Sequence, residues 1–323
     1  MAQGMTEYSA QAISVEAVGA VLRDELAHGD ALIGTISPIL RHLLANDEHS
    51  VFGDEIIARV RGMMSDVARQ LLDQLAIGGG TGEERDHLPA HIAGLVDGLV
   101  GHAGFLSHVH ALALEWQLTE RLQARLALDP VLSPLLQALI ASSDSNVASG
   151  AMALLASQAR FAQNQRRMQL PLNELPGDLV HAGVLAMRGH AGNDEEAAAA
   201  AELAIRASYD EGRSRLGQIA RLITAMGGGA TAALSITHAG TAMFISALAL
   251  GSGQDRDMAV LATNEGQLAR LALALRAAGL RPQSIEEQFV SLHPQVALPP
   301  GFEQLGSDHA AALLSRSAAY PGV

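Results

Sequence analysis

At 323 residues and 49% apolar content, the chain carries enough material for a sizeable core and is too apolar to be disordered. A formal charge of −13 argues against a nucleic-acid surface, and the densest basic group, Arg160 with Arg166 and Arg167, suits a helix C-terminus better. There is no cysteine and all 21 basic residues are arginine, which removes disulfides, thiolate nucleophiles, Cys-ligated metals, lysine Schiff bases and a lysine-bearing phosphate loop.

Aromatics make up only 3%, while Ala, Leu, Gln, Glu and Arg dominate, so an all-α fold is expected. Residues 1–10 show neither a basic nor a long apolar stretch, which makes a cytoplasmic location the expectation. Helices are expected near 14–28, 38–45 and 53–76, followed by the glycine-rich loop 78–82. Pro89 opens a helical stretch that runs to about Leu128 with a break around 101–104. Two more helices follow near 134–141 and 146–169. Residues 170–177 then hold two prolines and a glycine, which stop a helix and fix a bend. We place a boundary there, between a helical region of residues 1–170 and a second all-α region of residues 171–323. Asn193 is a candidate N-cap, with Asp194, Glu195 and Glu196 complementing the dipole of the next helix. Further helices are expected near 213–226, 230–250, 256–279, 284–291 and 307–318.

Residues 222–253 contain no Asp, Glu, Lys or Arg. Three glycines at 227–229 interrupt this tract, and Ser235, Thr237, His238, Thr241 and Ser246 make it too polar for a convincing membrane span. A buried helix near 230–250 is the expectation. A pocket for an apolar ligand near 223–250 is the alternative, with Thr237 and His238 as its polar groups.

Thirteen histidines are the remaining candidates for metal binding or acid–base work. His108 and His110 stand two apart, which on a helix directs them to opposite sides. His87 and His91 are four apart but are separated by Pro89. Glu25 with His28, and Glu84 with His87, match the carboxylate–histidine spacing of di-iron bundles, yet Arg121 and Ala124 stand at the positions that correspond to Glu25 and His28. No metal, cofactor or catalytic residue is therefore expected. No Gly-x-Ser-x-Gly elbow exists, and 251–253 reads as a turn.

Residues 22–60 align without a gap on residues 118–156, at an offset of 96, with ten identities that include Ser37-Pro38 and Ser133-Pro134. Serine at an N-cap followed by proline at the first helical position starts a helix, so both copies are expected to start one at the same point. In each, apolar residues recur at i, i+3 and i+4, and a polar break follows at 46–50 and 142–146. That pattern predicts an internal duplication of a helix–turn–helix unit. Two architectures fit, a helical repeat or an irregular α-solenoid or bundle.

The break at 139–147, with an acidic residue and a valine shortly after it, resembles HEAT-type repeats. The wider chain, over residues 20–170 and 244–305, is similar to bacterial helical-repeat proteins grouped as a domain of unknown function. The arginine that usually follows the valine in HEAT units is absent, Ser149 and Gly150 standing nearby. The resemblance implies a binding surface for a protein partner and supplies no catalytic residue. A non-enzymatic scaffold or adaptor is thus the leading expectation. Its acidic exterior would favour a basic partner, and Asp47, Glu48, Asp144 and Asn146 would lie at equivalent edges. The runners-up are the small-ligand sensor or carrier described above and an enzyme using only His, Asp, Glu or Ser. Nucleic acid and membrane are not expected as partners, and a homo-oligomer is left open.

Overall fold

The computed structural model describes residues 15–45, 54–79 and 89–317, and every regular element among them is helical. In chain order these are α1 (Val15–Ala45), α2 (Asp54–Gly78), α3 (Pro89–Val100), α4 (Ala103–Leu126), α5 (Pro134–Ile140), α6 (Ser145–Arg166), α7 (Gly177–Ala191), α8 (Glu195–Ser208), α9 (Arg215–Ala225), α10 (Ile236–Ser252), α11 (Arg256–Ala262), α12 (Leu268–Ala277), α13 (Pro282–Leu292) and α14 (Ser307–Ser315). Short 3-10 turns join several of them, the longest at Gly227–Leu234. The turn 46–50 with Asp47 and Glu48, and the pair Glu84 and His87, lie outside the described residues.

Many of the expected starts are present. Ser133 caps α5, accepting a hydrogen bond from Leu136 N at 3.2 Å, with Pro134 at the first helical position. Asp144 caps α6 and Asp194, one residue beyond the expected Asn193, caps α8. The glycines at 227–229 fall in the 3-10 turn, which meets α10 at a bend of 111°. No single helix among the described residues is long and apolar enough to cross a membrane.

The equivalence of the two copies does not extend to their helix starts. Ser37 and Pro38 lie inside α1, which continues without interruption to Ala45. Pro38 has no N–H for the Gly34 carbonyl, but both residues are exposed, so water can take that carbonyl. Burial of Val18, Leu22 and Leu26 on one side of the proline and Leu40 on the other holds the helix through it. In a solenoid each unit touches only its neighbours. Here α1 packs on α12, and Gln267 donates to the Gly29 carbonyl at 2.6 Å while Arg270 and Ser317 both bond Asp30.

Two hydrophobic cores result, and each draws side chains from both sides of residue 170. The first gathers around α10 and α12 with α1, α9, α11, α13 and α14; Phe244, Leu248, Leu273 and Phe302 are among its buried residues. The second joins α2, α3, α7 and α8 around Met63, Phe105 and Trp116. Helices α4 and α6 serve both, so the prolines at 171 and 176 bend the chain without separating its cores. Helix α10 itself is broken at Gly240, whose φ of 71° is a left-handed conformation, and a Cβ there would stand 3.0 Å from the Ser133 Cβ.

Candidate functional site

Helix α4 carries two ionisable residues among buried side chains that are mostly apolar. His108 and Glu115, seven apart, are both buried, and a buried charge demands a partner. Glu115 meets Arg215 of α9 in a bidentate pair, 2.7 and 3.0 Å, with each side chain only 1% exposed. A second guanidinium, that of Arg256 at the start of α11, reaches the same carboxylate at 2.9 Å and donates to Ser246 Oγ at 2.9 Å. Burial alone would push Glu115 up, but the two arginines outweigh it and hold the carboxyl down to about 2. Arg215 also stacks on Phe161 at 3.6 Å, and its backbone N–H donates to Glu174 at 2.8 Å. Burial pushes the Glu174 carboxyl up despite that bond.

The neighbouring residue on α11, Asp257, receives His108. Both carboxylate oxygens stand 3.1 Å from His108 Nδ1, which therefore carries the hydrogen and donates it. Burial would raise Asp257, but His108 and Arg256 outweigh it and hold it below the ordinary carboxylate range. The geometry depends on Gly253, whose φ of 69° ends α10 in the left-handed region and turns the chain directly into residues 254–257.

Of these groups, His108, Glu174, Ser246, Arg256 and Asp257 border two adjoining cavities. The first, about 340 Å³, has Ser107, His108, His110, Asp178, Arg256 and Asp257 in its wall. The second, about 460 Å³, is bordered by Glu174, Glu211, Ser246 and Gln254. Pro176, Leu216, Asp255 and Arg256 belong to both, so the two adjoin as one cleft whose walls mix apolar side chains with charged ones. Burial holds the His110 imidazole down to about 4, with Asp257 offsetting part of the effect, so His110 is neutral at pH 7. Burial together with Glu211, Asp178 and Asp210 pushes the hydroxyl of Tyr209, which donates to the Leu175 carbonyl, up to about 12.

Three side chains in this wall hold polar atoms that are shielded from solvent and have no hydrogen-bond partner: His108 Nε2, Arg256 Nη1 and Gln254 Oε1. An orphaned buried group is costly, about 1–3 kcal/mol, and asks for an explanation. Elsewhere, Gln165 Oε1 is orphaned beside a void of only about 10 Å³, room for no more than a water.

The residues singled out in the sequence are dispersed. Thr237 is exposed at the start of α10 and faces Ser235 Oγ at 3.4 Å, His238 is half-buried beside it, and neither lines the cleft. The tract 223–250 does contribute Ser246, Ala249 and Leu250 to the second cavity. Asp144 is engaged in capping, accepting from Asn146 N at 2.8 Å and Val147 N at 3.4 Å, and Asn146 is exposed in the first turn. His108 and His110, expected on opposite sides of a helix, both border the first cavity. No group of three or more His, Asp or Glu side chains among the described residues is arranged to hold a metal ion.

Comparison of the chain with protein-family models, with curated proteins and with solved structures found no match in any of the three.

Proposed function

We propose that this protein binds a small molecule in the cleft formed by the two adjoining cavities. The observation that carries this reading is the convergence of both cavities on Arg256. Its guanidinium is fixed by a buried carboxylate on one side and left with an unsatisfied donor on the other. Cavities of this size with apolar walls and a few fixed polar groups are typical of small-molecule sites, which span roughly 300–1,000 Å³. Binding is favoured over catalysis because His108 Nε2 touches no hydroxyl and so arms no nucleophile. The adaptor reading relied on matching helix starts at Ser37 and Ser133, and with Ser37 inside α1 the cleft is the better-supported site.

Leu216 borders both cavities, so Leu216→Trp fills the cleft from its shared wall. Native mass spectrometry of the gently purified protein, together with thermal-shift screening of a metabolite library, should show a retained or stabilising small molecule that Leu216→Trp loses. Absence of any such compound, or one held equally by the folded variant, would refute the reading.

A further inference from the structure

The ligand class follows from which atoms in the cleft still need partners. Arg256 Nη1 can only donate, so whatever completes it must bring an acceptor oxygen. His108, with a side chain 4% exposed, stands in the same wall with Nε2 unpartnered. At the mouth of the same cavity the requirement is reversed. Asp178 and Asp255 are exposed carboxylates, and neither is paired with a basic side chain among the described residues. Asp255 precedes α11 yet makes no side-chain cap bond, which leaves both its oxygens open. Carboxylates can only accept, and they favour a cation. Beside these charged groups the wall carries Leu179, Leu216, Met258 and Leu261.

Building on the small-molecule reading above, we infer that the cleft takes a zwitterion of amino-acid size with an apolar side chain. Its carboxylate lies on Arg256, its ammonium between Asp255 and Asp178, and its side chain against Leu216 and Leu261. The first cavity, about 340 Å³, is at the small end of ligand sites and suits such a molecule. Arg256 Nη1 is itself covered. A side-chain rearrangement of the kind common on binding brings it to the cavity surface, which its side chain, 15% exposed, already borders.

The test is calorimetry on the full unmodified chain with the twenty common L-amino acids. For the best apolar one, analogues lacking a charged end follow; for leucine these are 4-methylpentanoate, isoamylamine and leucinamide. At least one apolar amino acid should bind, and each analogue should bind about tenfold or more weakly, since each loses a charge-assisted hydrogen bond. Asp255→Asn should weaken the amino acid and leave 4-methylpentanoate unchanged. If an analogue binds as tightly as the amino acid, or other small molecules bind in a Leu216→Trp-sensitive way while no amino acid does, this inference fails and the cleft reading stands. If nothing in either screen binds, both fail. Because the analogue series uses the wild-type chain, a misfolded variant cannot obscure the answer.

Discussion

Arg270 and Arg256 both tie a helix to a carboxylate far away in the chain, and their surroundings differ in one respect. Arg270 joins α12 to Asp30 of α1, with Gln267 and Ser317 completing the group. No atom of these four side chains is buried without a partner, although a groove of about 400 Å³ runs beside Asp30 and Ser317. Arg256 joins α11 to Glu115 of α4 and is left with Nη1 orphaned beside a cavity. A closed set of hydrogen bonds holds the termini of a fold together. The open one at the cavity is the one that the proposed ligand would complete.

Removing the carboxylate at each clamp is the strongest way to break this comparison. Glu115→Ala leaves Arg215 and Arg256 buried without their shared counter-ion and should cost about 3–5 kcal/mol by chemical denaturation. Asp30→Ala should cost roughly half as much, because Gln267 remains on Arg270 and Asp30 sits at an edge that water can reach. Equal losses would show that the two clamps are alike. Next in size is a substitution in packing remote from the cleft. Gly240→Ala meets both a left-handed φ and the Ser133 Cβ at 3.0 Å, and should lower stability by about 1–3 kcal/mol without altering ligand affinity in the folded protein. A matching loss of affinity would mean that the cleft is not an independent unit.

Acid titration separates the two sides of the Glu115 network. The folded chain holds His110 down to about 4 where the ordinary value is 6.5. Between these values the unfolded chain binds more protons, so stability is full above pH 6.5 and falls as the pH drops towards 4. His110 is only partly buried, so the loss is on the order of 1–2 kcal/mol. The Glu115 carboxyl is displaced the other way for an acid, from 4.5 to about 2, and its contribution disappears only below pH 4.5. His110→Gln should make the stability profile shallower from pH 6.5 down to 4.5, the part due to His293, which burial also holds down, remaining, and should leave the steeper acid limb intact. An unchanged slope in the upper window would place its cause elsewhere.

Local rules made the helices legible and left the site hidden. Ser133-Pro134 and Gly227–Gly229 act through neighbours within four residues, and the expected cap and break occur where they stand, while Asp144, expected at a partner-binding edge, caps α6. The span 256–279, expected as one helix, divides into α11, a 3-10 turn and α12, because Gln267 turns towards the Gly29 carbonyl at a separation of 238 residues. The cleft depends on pairings of the same kind: Glu115 with Arg215 across 100 residues, and His108 with Asp257 across 149. No periodicity reports such a pairing. One signal was nonetheless present in α4, where His108 and Glu115 share the stripe of Leu122 at intervals of seven. A histidine and a carboxylate in a buried stripe require partners, even when the sequence does not say which.

The smallest effect concerns the two serines whose likeness suggested a duplication, and it applies the distinction between satisfied and orphaned groups to a pair of hydroxyls. Ser133 Oγ accepts from Leu136 N at 3.2 Å and satisfies one of the free donors at the start of α5. Ser133→Ala should therefore cost about 1 kcal/mol. Ser37 Oγ is buried inside α1 with no partner, so Ser37→Ala removes an unmet polar group and replaces serine with the best helix former. It should leave stability unchanged or raise it by a few tenths of a kcal/mol. Paired denaturation curves on the two variants decide the matter. Equal losses would mean that Ser37 does start a helix and that α1 is broken at Pro38, whereas opposite signs show one Ser-Pro pair in two structural roles, with the burial of Leu40 beyond the proline deciding which role Ser37 takes.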